Sequence, residues 1–371
     1  MMNCDIICIV VKYVDKKNVI ALLGVSRRVN KIVMDDRAIY LDCMKNYDSV
    51  CSLLGKHKRI LYFSGKNYAL DMLRDDVTHL RCDWYFNGCV LRGNNMFTKL
   101  LNLTSLRFYD IFDQNVDALQ MLPFLRRLRF GNRFNQSVDM LPTSLIWLKF
   151  GIAFNKSVDK LPKKLKYLAF DVNFCGSVDN LPEELESLVL GYSFDNEVNN
   201  LPKKLKHLSF GHSFNKKIDN LPASLKTLRL GYCFNQTIDK LPQGLTNLQF
   251  IGSFNKSVDN LPKSLINLKL SWDFDRSVDN LPKSLKCLWL GYKFDQPIDK
   301  LPKNLNRLCL GYKYNQKIDK LPKKLKGLYL SYEFNQKIDN LPKGLSCIRI
   351  RAKFNQEISG LPKKTKIIYI K

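Results

Sequence analysis

The chain has 371 residues, 45% of them hydrophobic, and a formal net charge of +26. That much apolar material supports a substantial elongated core, yet no stretch approaches the roughly 20 apolar residues of a membrane span; Ile6 to Val14 is too short, is broken by Lys12, and lacks the basic flank of a secretory signal. Eleven cysteines, an odd number scattered without a repeating frame, read as reduced thiols of an intracellular protein in cytoplasm or nucleus.

Residues 1 to 50 contain no proline; all fourteen fall at or after Pro123. Ile6, Ile9, Val10, Tyr13 and Val14 recur at helical spacing and predict a first helix. Asp15-Lys16-Lys17-Asn18 breaks that run, Val19 to Leu23 predicts a second helix, and Ser26 is placed to N-cap a third whose apolar side holds Val29, Ile32 and Val33. Three short helices bury too little to stand alone. They are expected either to pack on a partner or to cap the remainder of the chain.

From 51 to about 125 comes a linker with two worn copies of a repeat. Val77, Leu80, Cys82, Phe86, Asn87 and Val90 carry the first; Leu103, Leu106, Phe108, Phe112, Asp113, Val116 and Asp117 carry the second. Divergent terminal repeats commonly act as caps.

From 126 to 371 a twenty-residue unit recurs with almost no slippage, anchored by a Phe or Tyr at 134, 154, 174 and every twentieth residue to 354. Twelve uninterrupted copies predict a stack of structural turns, a solenoid. In the copy from Phe154, Leu168 and Phe170 alternate with Ala169, so 167–170 reads as a short strand with Leu168 and Phe170 inward. The Gly that usually comes next (Gly131, Gly151, Gly191, Gly211, Gly231, Gly291, Gly311) suits a bend through its tolerance of positive φ. Pro162 pushes Leu161 to extended geometry, so the return leg is no regular helix. Stacked turns predict a parallel sheet, a Phe spine and a buried ladder of Asn135, Asn155, Asp195, Asn215 and Asn235, from which Cys175 departs. A column of Tyr192, Tyr232, Trp272, Tyr292, Tyr312 and Tyr332 reads as a structural stack. The last strand, Ile367 to Ile370, has little after it and leaves an edge open to a capping partner or to self-association.

Phe234-Asn235-Gln236-Thr237-Ile238 and Phe294-Asp295-Gln296-Pro297-Ile298, set in F-N-Q-x-[IV]-D-x-L-P-x-x-L-x-x-L-x-[LF]-G, resemble the FNIP repeat family, and the L-P-x-x-L-x-x-L-x-L core is similar to short leucine-rich repeats of the bacterial type. The fold class expected is therefore mostly β, a leucine-rich-repeat-like solenoid behind a small α-helical segment. Residues 5 to 33 resemble an F-box, carried by Ile6, Ile9, Val10 and Val14, then Asp15, Val19 and Leu22, then Val25-Ser26-Arg27-Arg28 and Val29. That resemblance implies docking to the Skp-type adaptor of a cullin–RING ubiquitin ligase. An F-box joined to FNIP repeats is similar to a giant-virus architecture of the mimivirus type.

Specificity is expected where the copies vary. The residues flanking the inward Leu of each strand change freely, and Trp147, Tyr167, Arg229, Trp289, Arg307, Tyr329 and Arg349 are the candidate target-binding side chains, since exposed aromatics and Arg are frequent interface anchors. The rival partner is nucleic acid or another polyanion: Lys163, Lys164 and Lys166, Lys203, Lys204 and Lys206, Lys323, Lys324 and Lys326, and Lys363, Lys364 and Lys366 would align as basic stripes. The column Asp139, Asp159, Asp179, Asp219 and Asp239 is expected to neutralise part of them. No P-loop, dinucleotide fingerprint or zinc-protease motif occurs, and His57, His79, His207 and His212 belong to no patterned nucleophile or ligand set. The reading is a non-enzymatic interaction protein with no cofactor and no metal: an adaptor-bound substrate receptor or, alternatively, a polyanion-binding solenoid or a structural decoy.

Overall fold

The computed structural model describes residues 38–41, 60–63, 77–82, 100–351 and 354–370. The three expected helices, with Ile6, Ile9, Val10, Val14, Val19, Leu22, Val25 and Val29, lie outside the described residues, as do Phe86, Asn87 and Val90. The chain divides into two compact units, 1–174 and 175–371. Each is a stack of parallel turns.

The first unit holds β1 (Ala38–Leu41), β2 (Ile60–Phe63), β3 (His79–Cys82), β4 (Ser105–Arg107), β5 (Arg127–Arg129), β6 (Trp147–Lys149) and β7 (Tyr167–Ala169). Each pairs in parallel with the next, so that Leu80, Leu106, Leu128, Leu148 and Leu168 stand in one row. Two of these strands answer no sequence expectation. β1 falls inside the segment where only helices were expected, and β2 lies in the linker. Among the described residues the one helical element is a 3-10 turn, Asp117–Met121, at the second worn repeat.

The second unit runs from β8 (Ser187–Val189) through β9 (His207–Ser209), β10 (Thr227–Leu230), β11 (Asn247–Phe250), β12 (Asn267–Lys269) and β13 (Cys287–Trp289). It continues through β14 (Arg307–Cys309), β15 (Gly327–Tyr329), β16 (Cys347–Arg351) and β17 (Lys366–Ile370). Neighbours pair in parallel at an offset of one unit, as in Leu228 opposite Leu248. The last pair breaks that frame: Cys347 faces Lys366 and Ile348 faces Ile367. A one-residue slip moves every side chain to the other face. Ile367 and Tyr369 thus take the inward register in place of the next residues along, and Tyr369 is 71% exposed.

Three-residue strands follow from the unit's composition. Upstream, the L-P-x-x-L segment closes a tight turn in which the Leu N–H donates to the Pro carbonyl, as Leu145 to Pro142 (3.1 Å) and Leu265 to Pro262 (3.1 Å). This is the non-helical return leg that proline dictates. Downstream, the chain bends at Gly. The expected reason was positive φ, but among the described residues only Gly360 has it. What the Gly turns share instead is close approach, while Asp171, Ile251, Ser271, Ser331 and Arg351 hold the same position in other turns. A Cβ on Gly231 would overlap the carbonyl oxygen of Gly211, and one on Gly311 that of Gly291. Ser271 and Ser331 replace Gly by turning the hydroxyl inward, where each donates to a carbonyl, Phe254 at 2.5 Å and Tyr314 at 2.6 Å.

Inward, the Leu rows and the Phe spine are almost wholly buried. Spine rings stack one turn apart at 6.1 Å for Phe134–Phe154 in the first unit and for Phe214–Phe234 in the second. Where the strand ends in Phe, that ring also packs on the spine residue of its own turn, Phe130–Phe134 and Phe210–Phe214 both at 3.7 Å. One turn leaves this face bare and the next covers it, so the core exists only in the stack.

The Asn ladder forms, but half-exposed and not buried. The side-chain oxygen of each rung accepts the backbone N–H of the equivalent residue one turn on: Asn135 to Asn155 (2.9 Å), Asn215 to Asn235 (2.9 Å), Asp275 to Asp295 (3.0 Å). Only the acceptor is used, which is why Asp substitutes freely.

Candidate interaction surface

Flanking each inward Leu are two outward columns, and the register fixes what stands beside what. In the first unit one column reads His79, Ser105, Arg127, Trp147, Tyr167 and the other Arg81, Arg107, Arg129, Lys149, Ala169. Trp147 and Tyr167 stack face to face, 5.0 Å between centroids at 5°. Burial in that stack raises the Tyr167 hydroxyl above its ordinary pKa. Arg107 lies over the Tyr109 ring at 4.3 Å, and with Arg129 and Lys149 it lines a shallow pocket rimmed by Asp110 and Asp171.

The sequence reading brought Trp147 and Tyr167 to this face but missed Arg81, Arg107, Arg127 and Arg129. Their signal was available. Each flanks a repeat Leu (Leu80, Leu106 or Leu128) at the same spacing that identified Trp147 beside Leu148.

In the second unit Trp289 stands between Lys269 and Cys309, Tyr329 between Cys309 and Arg349, and Arg307 between Cys287 and Gly327. The Arg349 guanidinium covers the Tyr329 ring at 4.6 Å. Gly327 lets the two columns meet: a Cβ there would touch Arg307 Cγ and Tyr329 Cε2, each at 3.6 Å. Trp289, Arg307, Tyr329 and Arg349 therefore form one patch over four strands. Arg229 stands apart, exposed between Ser209 and Gln249. Burial pushes the Cys309 thiol up to about 12 despite the opposing Arg349, which disfavours its thiolate.

A separate aromatic column lies just past the bend. Tyr192, His212 and Tyr232 stack at 4.4 and 4.9 Å; Trp272, Tyr292, Tyr312 and Tyr332 stack at 4.4, 4.5 and 4.6 Å. Gly252 takes the rung between the two runs. Ring-on-ring stacking within each run fits the structural role expected.

The acidic column does not neutralise the basic stripes. Its carboxylates pair with the residue that comes after the Asp of the next turn: Lys160 with Asp139 (3.1 Å) in the first unit, Lys300 with Asp279 (2.9 Å) and Lys320 with Asp299 (3.2 Å) in the second. Asn260 and Asn280 do the same toward Asp239 and Asp259. Among the described residues no group of three or more His, Cys, Asp or Glu is placed to hold a metal ion. No helix among them is long and apolar enough to cross a membrane.

Short in-register parallel strands, one per turn, each set by L-x-x-L-x-L, define a repeat solenoid of the leucine-rich-repeat type. Turns of the second unit are FNIP repeats: seven stretches between 176 and 350 (176–211, 196–233, 234–273, 254–293, 277–313, 294–333 and 314–350) match the FNIP Repeat family. The chain is similar in structure to CroV588, a circular LRR protein, with 30% identity and a TM-score of 0.65 over 84% of this chain. It spans 55% of the length of that protein. A leucine-rich-repeat protein of Leptospira interrogans (20% identity, TM-score 0.54, 84% of this chain and 88% of that one) shares the fold. So does the functional domain of InlJ from Listeria monocytogenes (13%, 0.51, 79% and 68%). No curated protein matches the chain in sequence.

Proposed function

We propose that the protein is an intracellular, non-catalytic substrate receptor of a cullin–RING ubiquitin ligase. The N-terminal segment around Ile6, Ile9, Val10, Val14, Val19, Leu22, Val25 and Val29 holds a Skp-type adaptor, and the outward strand faces hold the target protein. The observation that carries the target-binding half is the contrast within each turn. Inward positions scarcely vary, whereas the outward columns gather Trp147 on Tyr167 in one unit and Trp289, Arg307, Tyr329 and Arg349 in the other. Aromatics and Arg held on a preorganised sheet bind with little loss of side-chain freedom. The adaptor half rests on the F-box resemblance of residues 5 to 33 and on an apolar helical pattern too small to stand alone.

The test is co-expression with a Skp-type adaptor and then size-exclusion chromatography. A stable complex is expected for the natural chain, and Ile9→Asp with Val14→Asp is expected to abolish it while the β-sheet circular dichroism is unchanged. A natural chain that is folded yet elutes alone would remove the ligase assignment and leave a general interaction solenoid.

A further inference from the structure

In the second unit, the residue after the proline of each turn is Lys263, Lys283, Lys303, Lys323, Lys343 and Lys363, six turns in succession. All six are exposed. We propose that this row is a binding strip for the phosphate backbone of a single-stranded nucleic acid.

The row differs from the protein's other lysines. Lys300 and Lys320 are held by the carboxylate of the preceding turn. At the opposite end of the same unit, Lys204 and Lys206 face Glu184 and Glu186, the residues that occupy their own positions one turn back. The Glu184 hydrogen bond raises the Lys204 pKa. Among the described residues none of the six lysines has such a carboxylate partner. Each return-and-strand segment from Leu261 to Leu270, and its equivalents at 281, 301, 321, 341 and 361, contains no Asp or Glu at all. The only acids of these turns lie in the other half, and those at 279 and 299 are already paired. Lys286, Lys326 and Lys366 at the strand entrance and Lys364 beside the row widen the strip.

Geometry selects the ligand. Turns stack at about 4.8 Å, so five steps set six ammonium groups along roughly 24 Å. A fully stacked strand rises about 3.4 Å per phosphate and an unstacked one is more extended, so at most about seven phosphates lie along that length. The continuous row is one lysine wide, with Lys286, Lys324, Lys326, Lys364 and Lys366 only at intervals beside it, and so it follows one strand. The residues beside the row are Ser264, Ser284, Asn304, Lys324, Gly344 and Lys364, without an aromatic or apolar side chain to anchor a peptide. Lysine is a point charge with no planar fork, suited to phosphates in any register and not to base edges. The contact is therefore sequence-independent and lies outside the strand-face patch of Trp289, Arg307, Tyr329 and Arg349.

The experiment is fluorescence anisotropy of a labelled twenty-nucleotide oligothymidine titrated with the full-length protein between 50 and 300 mM salt. Six contacts predict a slope of log K against log salt of about −4 for a single strand. Lys283→Glu with Lys303→Glu and Lys323→Glu is expected to weaken binding more than ten-fold at 50 mM salt. The matching Lys→Gln triple, which adds no charge, is expected to fall between and to lower the slope magnitude by about 2. Both triples should keep the natural melting temperature and adaptor binding. The proposal is overturned if the natural chain does not bind at 50 mM salt, if either folded triple binds like the natural chain, or if duplex DNA or inorganic polyphosphate competes better than the single strand at equal phosphate.

Discussion

The Arg349 guanidinium lies over the ring of Tyr329 on the adjacent strand, 4.6 Å from its centroid, and so ties together two residues that are twenty apart in sequence. A cation–π contact of this exposed kind is worth about 0.5–1 kcal/mol. A double-mutant cycle of Arg349→Ala and Tyr329→Ala, read by thermal unfolding, should return a coupling of that size. Zero coupling would mean that the patch is not preorganised before a target arrives.

The acceptor ladder makes a prediction that distinguishes chemistry from shape. Asn215 accepts the Asn235 N–H through its side-chain oxygen at 2.9 Å. Asn215→Asp preserves the acceptor and should leave stability within about 0.5 kcal/mol. Asn215→Leu, nearly the same size, removes the acceptor at this exposed rung and should cost about 0.5–1.5 kcal/mol. Hydrogen exchange at the Asn235 amide should accelerate in the Leu variant alone.

Two glycines should behave oppositely. A side chain on Gly231 overlaps the Gly211 carbonyl, whereas a methyl on Gly327 meets only side-chain atoms at 3.6 Å. Gly231→Val should destabilise by about 2–3 kcal/mol through forced backbone displacement. Gly327→Ala should be neutral or stabilising by up to about 1 kcal/mol, because it restricts the unfolded chain in a strand position that Ala can adopt. Melting temperatures of the two variants decide the matter.

Alkaline pH should unfold the second unit early. Burial raises the Cys309 thiol from 9.0 to about 12 and also raises the buried Tyr314 hydroxyl. Both groups stay protonated when folded and ionise more readily when unfolded. Their contribution is therefore complete below pH 9 and is lost as pH climbs from about 9 toward 12, at up to about 1.4 kcal/mol per pH unit per group. Tyr314→Phe restores the Phe that most other turns carry and should flatten the fall in melting temperature between pH 8 and 10.5. An unchanged pH profile would show that Tyr314 does not titrate on unfolding in that range.

Repetition made the regular half of this molecule readable. Any residue recurring every twentieth position must stack on itself, so the Phe spine, the in-register Leu rows, the return turn at Pro and the Asn ladder emerged from spacing alone. What spacing cannot carry is distance between neighbouring backbones. The bend glycines stand against the carbonyl of the previous turn and do not use positive φ, a cause that lies in the stacking and not in the local sequence. Partner choice was equally hidden: the Asp column sits a few residues from the lysine stripes in sequence, but pairs with Lys160, Lys300 and Lys320 in space. Where the repeat is worn, as at Arg81 and Arg107, the outward columns escaped notice although the inward Leu rows did not. The one-residue slip of β17 escaped too, since Ile367 and Ile368 are equally apolar and only pairing decides between them.

The central claim, an adaptor-bound receptor, is tested most directly by isothermal titration of a purified Skp-type adaptor into the full-length protein. The account predicts one-to-one binding at micromolar affinity or tighter, lost in Ile9→Asp with Val14→Asp and retained in Trp147→Ala with Arg349→Ala. A folded natural chain that gives no heat of binding at any adaptor concentration up to 100-fold above the micromolar range would contradict it.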